Sequence, residues 1–324
     1  MPSPSRRLFA IAALAAAALP VTSHAQSDKP IEWVVGYAAG GGSDVVARTV
    51  AEQMTQALGG RAIIVNNKPG AATNIAADYA AKSKDIGHVM LTADFATLAA
   101  NPSLFAKLPY NAEKDFTPVG LLARFPLLLV VGPQVPAKTF KEFLAWAKAN
   151  PEGVNYASAG AGSPHHLATE LLRERTGLKL QHVPYRGAAP AVQDLIGGQV
   201  PFALIDSASV QQHITSGKLR ALGVASAKRL ATFPEIPTLA EQGLPGFEAY
   251  AWQGLVVPSA TPAPVVASLA KALQTALNST PVKARFQTLS LEALPGTPEQ
   301  MAAYARSERE RWGQLIRAHG IKLD

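Results

Sequence analysis

Residues 30–48 read PIEWVVGYAAGGGSDVVAR, and this stretch decides the fold. Residues 31–37 form a short apolar run that predicts a buried strand, and residues 43–58 repeat apolar side chains at helical spacing. A glycine-rich turn joins the two. The stretch therefore predicts the first strand and helix of a βαβ unit, from which parallel sheets are built.

The same alternation of strand and helix patterns continues along the chain. Further strands are predicted at residues 62–65, 89–92, 127–131, 154–157, 181–184, 201–205, 219–225 and 250–257. Helices are predicted at residues 71–82 and 139–149, and from Pro164, Ala188, Ala208, Pro264 and Thr297. Thr139 with Glu142, and Thr297 with Gln300, have the spacing of capping boxes.

Two such α/β sets are separated by extended segments, which predicts two lobes joined by two crossovers. We expect residues 26–123 together with 251–324 to form lobe 1, and residues 124–250 to form lobe 2. Ligands of open α/β sheets lie beyond the carboxyl ends of the strands. With two sheets facing each other, the expected site is the cleft between the lobes.

Residues 1–25 have the features of an export signal. Paired arginines precede an apolar run at residues 8–19, and Ser23-His24-Ala25 predicts cleavage before Gln26. The apolar run is too short for a membrane-spanning helix, which needs about 20 residues. The paired arginines leave open whether export follows the general or the twin-arginine route. The sequence thus predicts a periplasmic protein.

The composition excludes several kinds of site. The chain has no cysteine, which excludes disulfides, thiol nucleophiles and thiolate metal sites. Its net charge of +7 is spread along the sequence without a stripe of basic and aromatic residues, so no nucleic-acid partner is expected. The sequence contains no G-x-S-x-G, H-E-x-x-H or paired-carboxylate motif. We therefore expect no enzyme activity and no cofactor.

The first glycine-rich turn is a candidate anion site. Its candidate ligand-binding residues are Tyr37, Gly40, Gly41, Gly42, Ser43 and Asp44. Glycines let main-chain N–H groups turn towards a ligand, and the helix start adds a partial positive charge. Val45 stands where a dinucleotide-binding motif needs its last glycine, and no Lys-Ser or Lys-Thr follows as in a P-loop. The alternative is a tight turn that binds nothing.

A second strand feeds a similar turn, which reads NKPGAATN at residues 67–74. Gly70, Ala71 and Asn74 are its candidate ligand-binding residues. Adjacent parallel strands end at the same edge of a sheet, so both turns would direct N–H groups to one place, which favours a carboxylate or phosphate. Asp94, just past the third strand, can pair with an amino group of the ligand or cap the next helix.

The second lobe offers three more loops at strand ends. Their candidate ligand-binding residues are Ser158, Gly160, Gly162, Ser163, His166, Tyr185, Arg186 and Asp206. His165 and His166 are adjacent, but successive helix positions point about 100° apart. Neither has an acidic or cysteine partner at ligand spacing, so no metal site is predicted. Asp206 can receive an ammonium or hydroxyl group, or can cap the helix after it.

Several motifs, taken in order, resemble a known family. They are GGSDVVAR at residues 41–48, NKPGA at 67–71, NPSLF at 101–105 and KDFTPV at 114–119, followed by residues 155–163, 182–187, 195–199, 216–222, 233–245 and 320–323. This series resembles the Bug family, the periplasmic substrate-binding proteins of tripartite tricarboxylate transporters. The resemblance spans essentially the whole chain after the signal.

The resemblance implies a fold and a role. The implied fold class is α/β, a two-lobed periplasmic binding protein of the Venus-flytrap type (type II-like), with a mostly parallel sheet flanked by helices in each lobe and two crossover segments. The implied role is a monomeric extracytoplasmic receptor. It closes on a small organic carboxylate or amino acid and delivers it to a two-component integral membrane permease. By likeness, the first two turns hold the carboxylate through main-chain groups. A periplasmic sensor or an enzyme on this fold are the alternatives.

The chain departs from the family pattern in the same two turns. The family's first turn usually carries prolines where this chain has Gly36 and Ala39. Its second turn is usually richer in glycine, where this chain has Ala72, Thr73 and Ala76. The added methyl groups at Ala72 and Thr73 are expected to narrow the pocket or tilt the turn.

Overall fold

The computed structural model describes residues 29–323, so the predicted signal at residues 1–25 lies outside the described residues. Its strands are β1 (Ile31–Val35), β2 (Ile63–Asn67), β3 (Val89–Asp94), β4 (Phe116–Val131), β5 (Val154–Ser158), β6 (Leu180–Pro184), β7 (Phe202–Asp206), β8 (Arg220–Val224), β9 (Tyr250–Pro258) and β10 (Glu292–Ala293). The apolar runs predicted all of them except β10 and the first part of β4.

The helices alternate with the strands. They are α1 (Gly42–Ala57), α2 (Asn74–Ala81), α3 (Asn101–Leu104), α4 (Phe140–Lys148), α5 (Pro164–Thr176), α6 (Ala188–Ile196), α7 (Ser207–Thr215), α8 (Ala263–Asn278), α9 (Thr280–Thr288) and α10 (Pro298–Ala318). The sequence predicted most of them, but not α3, and α2 begins at Asn74 instead of residue 71. A π-helical turn, Ala96–Ala100, leads into α3.

The prediction of two helices after the last long strand was wrong, because the described chain has three there. Ser279 accepts a hydrogen bond from the Val282 N–H and starts α9, and a proline in the first turn prevents α8 from continuing. The capping box at Thr297 is formed in both directions. At Thr139 only half of the box forms, because the Glu142 carboxylate accepts from the Lys138 N–H instead.

Each lobe is built on a mixed sheet. In the first, the order is β2-β1-β3-β9-β4-β10, and in the second it is β6-β5-β7-β4-β8. The β2-β1-β3 and β6-β5-β7 parts are parallel, as the βαβ pattern predicted. The prediction that each sheet is mostly parallel was wrong for β4 and β9, because these two strands pair with all their neighbours in the antiparallel direction.

The two sheets share the long strand β4, which passes from one lobe into the other. Its first part, as far as Pro126, pairs with β9, and from Leu127 onward it pairs with β7. The return crossing enters the first sheet at Tyr250, where β9 begins. The predicted lobe limits, residues 123/124 and 250/251, fall at or within a few residues of these two points and stay a prediction.

Apolar side chains fill the space between each sheet and its helices. The largest buried cluster runs along both lobes under α10, where the rings of Phe95 and Trp312 meet edge to face at 5.3 Å. Separate clusters lie under α1, α8 and α9 in the first lobe and under α6 and α7 in the second. Among residues 29–323, no helix combines the length and the apolar character needed to cross a bilayer.

Candidate ligand-binding site

The first glycine-rich turn is held in shape by Asp44. Its carboxylate is buried and accepts from the Gly40 N–H at 2.9 Å and from Arg48 Nε at 3.0 Å. Burial alone would raise the pKa of Asp44, but the bonds from Arg48 and Gly40 and the charge of Arg48 bring it below its ordinary value. Asp44 therefore stays ionised, its charge is neutralised by Arg48, and its role is to fix the turn.

The first and second turns are joined into one unit. Asn67, at the end of β2, donates its side-chain N–H to the Tyr37 carbonyl at 2.9 Å and accepts from Arg48 at 3.1 Å. The Lys68 N–H donates to the Val35 carbonyl at 2.8 Å. The prediction that the two turns come together at one edge of the sheet is confirmed by these contacts and by the β1–β2 pairing.

The start of α1 presents main-chain donors at this edge. Gly41 is the N-cap and supplies no side-chain cap. The N–H groups of Gly42, Ser43 and Asp44 donate to no acceptor among residues 29–323. A helix start with open N–H groups attracts anions through both the donors and the helix dipole.

The second turn has an unusual backbone. Gly70 has φ 125°, and it is followed by Ala71, Ala72 and Thr73 with φ of 48°, 51° and 72°. Left-handed conformations cost non-glycine residues about 1–3 kcal/mol each, and such strain is concentrated at functional sites. Within the described chain, the N–H groups of Gly70, Ala71 and Ala72 have no acceptor. The turn therefore adds a second set of donors beside α1.

Side chains behind the second turn hold it in this strained conformation. Asn101, fully buried, donates to the Ala72 carbonyl at 2.7 Å and to Asn74 Oδ1 at 2.8 Å. Thr73 Oγ1 lies 2.8 Å from Thr97 Oγ1. The side-chain oxygen of Asn74 therefore already accepts a hydrogen bond from Asn101.

Asp94 takes the capping role, the second of its two predicted alternatives. One carboxylate oxygen accepts from the N–H and hydroxyl of Thr97 at 2.9 and 2.8 Å, and the other accepts from the Tyr37 hydroxyl. Burial raises the pKa of Asp94, and burial together with Asp94 raises that of Tyr37. Both side chains therefore fix the turns and have their polar atoms occupied.

In the second lobe, the loop between β5 and α5 is tied together by its own serines. Ser163 caps α5 and also donates to the Gly160 carbonyl at 2.6 Å. Ser158 accepts from the Gly160 N–H at 3.1 Å and lies 2.6 Å from His182 Nε2. The two hydroxyls are thus engaged within the lobe.

The two adjacent histidines point to different places. His166 accepts from the Gly162 N–H at 3.0 Å and stacks on His182 with ring centroids 3.9 Å apart, inside the second lobe. His165, which was not predicted as a ligand-binding residue, is the one whose Nε2 lies 3.2 Å from Asp206. Two consecutive identical residues do not reveal the rotation of α5 about its axis, so the sequence alone does not show which histidine faces Asp206.

Asp206 is buried at the carboxyl end of β7, beside the end of β5. It caps α7 through the Ser209 N–H at 2.9 Å. Burial alone would raise its pKa, but His165 and the two hydrogen bonds from Ser209 bring the pKa of Asp206 below its ordinary value. Asp206 therefore both caps the helix and carries a charge at the cleft edge of the second sheet.

The remaining predicted residues lie on the loop between β6 and α6. Tyr185 donates its hydroxyl to Asp194 at 2.8 Å, within the second lobe. Arg186 is exposed at the end of the same loop. Neither contacts the first lobe through a hydrogen bond or an ion pair among the described residues.

One buried polar residue beside the start of α1 was missed. Gln253 interrupts the apolar strand β9, is 4% exposed, and donates through Nε2 to Ser43 Oγ at the start of α1. A lone amide in the apolar run at residues 250–257 was the signal that could have found it. α5 packs next to β9.

A cavity of about 580 Å³ lies elsewhere, behind the crossing strands, and is lined in part by Arg124, Arg229 and Tyr250. Its two arginines are already paired, with Glu292 and Glu241 respectively. None of the helices within residues 29–323 begins among its lining residues. The joined turns, which carry the open donors, stay the predicted ligand site, since the size of a cavity alone does not identify a site.

Comparison with known sequences settles the family. The sequence model of a protein family, described as the tripartite tricarboxylate transporter family receptor, matches residues 46–321. The chain belongs to this family. Protein BugT of Bordetella pertussis is 35% identical over 312 residues, which cover 96% of this chain and 95% of that protein. The resemblance to the Bug family is confirmed.

Solved structures of receptors agree in fold over nearly their whole length. The periplasmic binding protein BugD is 35% identical with a TM-score of 0.84, covering 91% of this chain and 99% of BugD. R. palustris Rpa4515, solved with adipate, is 30% identical with a TM-score of 0.86, covering 91% and 98%. MatC from Rhodopseudomonas palustris, with bound malate, is 34% identical with a TM-score of 0.81, covering 89% and 98%.

These comparisons confirm the fold class, a two-lobed α/β periplasmic binding protein. The relatives are solute-binding receptors and not enzymes, which agrees with the lack of catalytic motifs in this sequence. Receptors of this family act in the periplasm.

Proposed function

We propose that this receptor binds a small carboxylate-bearing solute between its lobes and delivers it to a tripartite tricarboxylate-type membrane permease. The lobes are residues 26–123 with 251–324 and residues 124–250, and they close on the ligand by bending at the crossing strands. The protein acts as a monomer in the periplasm, with its signal removed before Gln26.

One observation carries the proposal. Two adjacent turns, joined through Asn67, present main-chain N–H groups that have no acceptor among residues 29–323. These groups belong to the start of α1, at Gly42 and Ser43, and to the strained turn at Gly70 and Ala71. Because the nearby Asp44 is neutralised by Arg48, its charge does not repel an anion. A carboxylate fits such a set of converging donors.

The lysine beside the second turn, Lys68, is not needed to bind the carboxylate. Lys68 Nζ lies over the ring of Tyr79, 4.0 Å from its centroid, on the solvent side of the turn. The site therefore relies on the backbone rather than on a cationic side chain. The adipate and malate bound by two relatives support a carboxylate as the ligand class.

Mass spectrometry of the molecule released when the purified protein is denatured tests the ligand class. We expect an unaltered organic acid that rebinds to the refolded protein at about micromolar affinity, near −8 kcal/mol. A released molecule without an acid group, or an acid returned chemically changed after incubation, would contradict the proposal.

The delivery step needs a separate experiment in the source cell. Deleting the gene for the receptor should abolish high-affinity uptake of the radiolabelled acid that the purified protein releases. Deleting the genes for the partner permease in a separate strain should have the same effect. If uptake persists without the receptor while a transcriptional response to the acid is lost, the protein is a sensor and the transport role is wrong.

A further inference from the structure

Gln253 has a buried polar atom without a partner. The residue lies in the middle of the first sheet, beside Asp94 of β3 and Ala123 of β4, and its side chain is 4% exposed. Nε2 donates to Ser43 Oγ, whereas Oε1 has no hydrogen-bond partner among residues 29–323. Buried amide oxygens almost always accept a hydrogen bond, so this one requires an explanation.

Neither of the two polar side chains next to Gln253 donates to Oε1 in this structure. Asp94, the neighbour in register, is an acceptor whose oxygens are taken by Tyr37 and Thr97. Ser43 already accepts from the amide of Gln253 itself. A ligand bound beside Ser43 can supply the donor that Oε1 lacks.

The position of Oε1 relates it to the proposed carboxylate site. Ser43 is the second residue of α1, and its N–H is one of the open donors at the helix start. Its side chain holds Gln253 directly beside those donors. A carboxylate bound to the Ser43 N–H would bring the substituents of its neighbouring carbon over Gln253.

We propose that Gln253 Oε1 accepts a hydrogen bond from a hydroxyl or amino group on the ligand carbon next to the bound carboxylate. The receptor then prefers 2-hydroxy or 2-amino acids over the same acids without that group. This inference rests on the proposed function, since it assumes that a carboxylate occupies the helix start. Gln253 would then select ligands that carry a hydroxyl or amino group next to the bound carboxylate.

Calorimetry with matched acids tests the preference. The probes are succinate, malate and aspartate, then glutarate, 2-hydroxyglutarate and glutamate, then propionate, lactate and alanine. In the series that binds, we expect the hydroxy or amino acid to bind about tenfold tighter than its parent, the size of one buried hydrogen bond. Gln253→Leu should reduce that ratio to about one while the parent acid still binds.

Two further variants make the result decisive. Gln253→Glu keeps an acceptor at this position and should retain or increase the preference for the amino acid over its parent. Gln242→Leu is the matched control, because that glutamine bonds the Leu222 carbonyl in the second lobe and should leave the ratio unchanged.

Each remaining outcome contradicts either the role of Gln253 or the proposed function of the receptor. Equal binding of the matched acids to the native protein, or an unchanged ratio in folded Gln253→Leu, contradicts the role of Gln253. Complete loss of every acid in folded Gln253→Leu contradicts it too, because Gln253 would then hold the carboxylate itself. If neither the panel nor the molecule released from the purified protein contains an acid that binds the native protein, the proposed function fails and this inference fails with it.

Discussion

The side chain of Thr73 occupies the space that a side chain at position 36 would need. A Cβ on Gly36 would lie 2.9 Å from Thr73 Cβ and 3.0 Å from its Cγ2. Thr73 is buried and has φ 72°, a conformation that a β-branched residue rarely adopts. Two of the positions at which we expect this chain to depart from the family pattern are therefore in direct contact, and the absence of a side chain at Gly36 makes room for Thr73.

This contact predicts that the two positions are energetically coupled. Gly36→Ala should lower the free energy of unfolding by about 1–3 kcal/mol, because the new Cβ meets Thr73 Cβ and the loop must shift. Gly36→Ala with Thr73→Gly should cost clearly less, since the obstacle and the left-handed strain are both removed. Urea denaturation of both single variants and the double variant measures the coupling.

Gly41→Ala is the control for this cycle. A Cβ there would meet only the Ala38 carbonyl at 3.4 Å, and the backbone of Gly41 suits any residue. It should leave stability nearly unchanged. If the Gly36 and Thr73 effects simply add, within about 0.5 kcal/mol, the two residues are not coupled.

The stacked histidines predict that acid weakens the fold. Burial, together with the neighbouring His182 and Arg173, lowers the pKa of His166 to about 3, and burial lowers that of His182 to about 4. Both rings are neutral in the folded protein at pH 7, and they bind protons more readily when unfolded. Their contribution to stability is therefore complete above about pH 6.5 and is lost as the pH falls towards 4.

Urea denaturation at pH 7.5, 6.0 and 5.0 checks this prediction. Each histidine can add a slope of up to about 1.4 kcal/mol per pH unit in this window. His182→Gln removes one titrating ring and keeps a polar atom for Ser158, so its stability should fall less steeply with pH. An equally steep loss in this variant would show that other groups cause it.

Ser290 forms hydrogen bonds between the two predicted lobes. Its hydroxyl donates to Gln211 at 2.9 Å and lies 2.6 Å from the hydroxyl of Thr232, while its carbonyl accepts from Ser207 at 3.1 Å. All three partners belong to the second lobe by the predicted limits. Ser290→Gly should therefore loosen the contact between the lobes, and its positive φ of 53° is easily adopted by glycine.

Small-angle scattering and calorimetry measure the effect of Ser290→Gly. We expect a larger radius of gyration without ligand and about fivefold weaker binding, equivalent to about one hydrogen bond. Thr232→Val removes one of the same bonds without changing the backbone and should act in the same direction, more weakly. An unchanged radius in both variants would refute the role of Ser290 in closure.

Local sequence patterns predicted most of the framework. The apolar runs located β1 to β9 apart from the first part of β4. Ser163, Asp206 and Thr297 marked helix starts because their side chains satisfy the first N–H groups. The glycine turns could be placed at one sheet edge because the βαβ pattern requires parallel neighbours.

Other features depend on contacts between distant residues, which a single sequence does not reveal. The continuity of β4 through both lobes follows from pairing with β9 on one side and β7 on the other. The left-handed run at Ala71–Thr73 is imposed by Asn101 and Thr97, and its residues would not adopt it alone. Gln253 acquires its meaning only from its contact with Ser43, 210 residues away in sequence.

The central claim is that main-chain N–H groups hold the carboxylate, and Ser43 allows it to be tested directly. Ser43→Pro deletes the N–H at the second position of α1, where proline is compatible with the first turn of a helix. Ser43→Ala is the matched control, since both variants lose the hydroxyl and only the proline variant loses the N–H. Lys68→Ala tests the rival view that a cationic side chain holds the ligand.

Calorimetry of these three variants with the tightest-binding acid of the panel is the decisive measurement. A charge-assisted hydrogen bond contributes about 1.5–3 kcal/mol, so folded Ser43→Pro should bind tenfold or more weakly than Ser43→Ala, while Lys68→Ala binds like the native protein. Equal affinities of Ser43→Pro and Ser43→Ala, together with loss of binding in Lys68→Ala, would contradict the account.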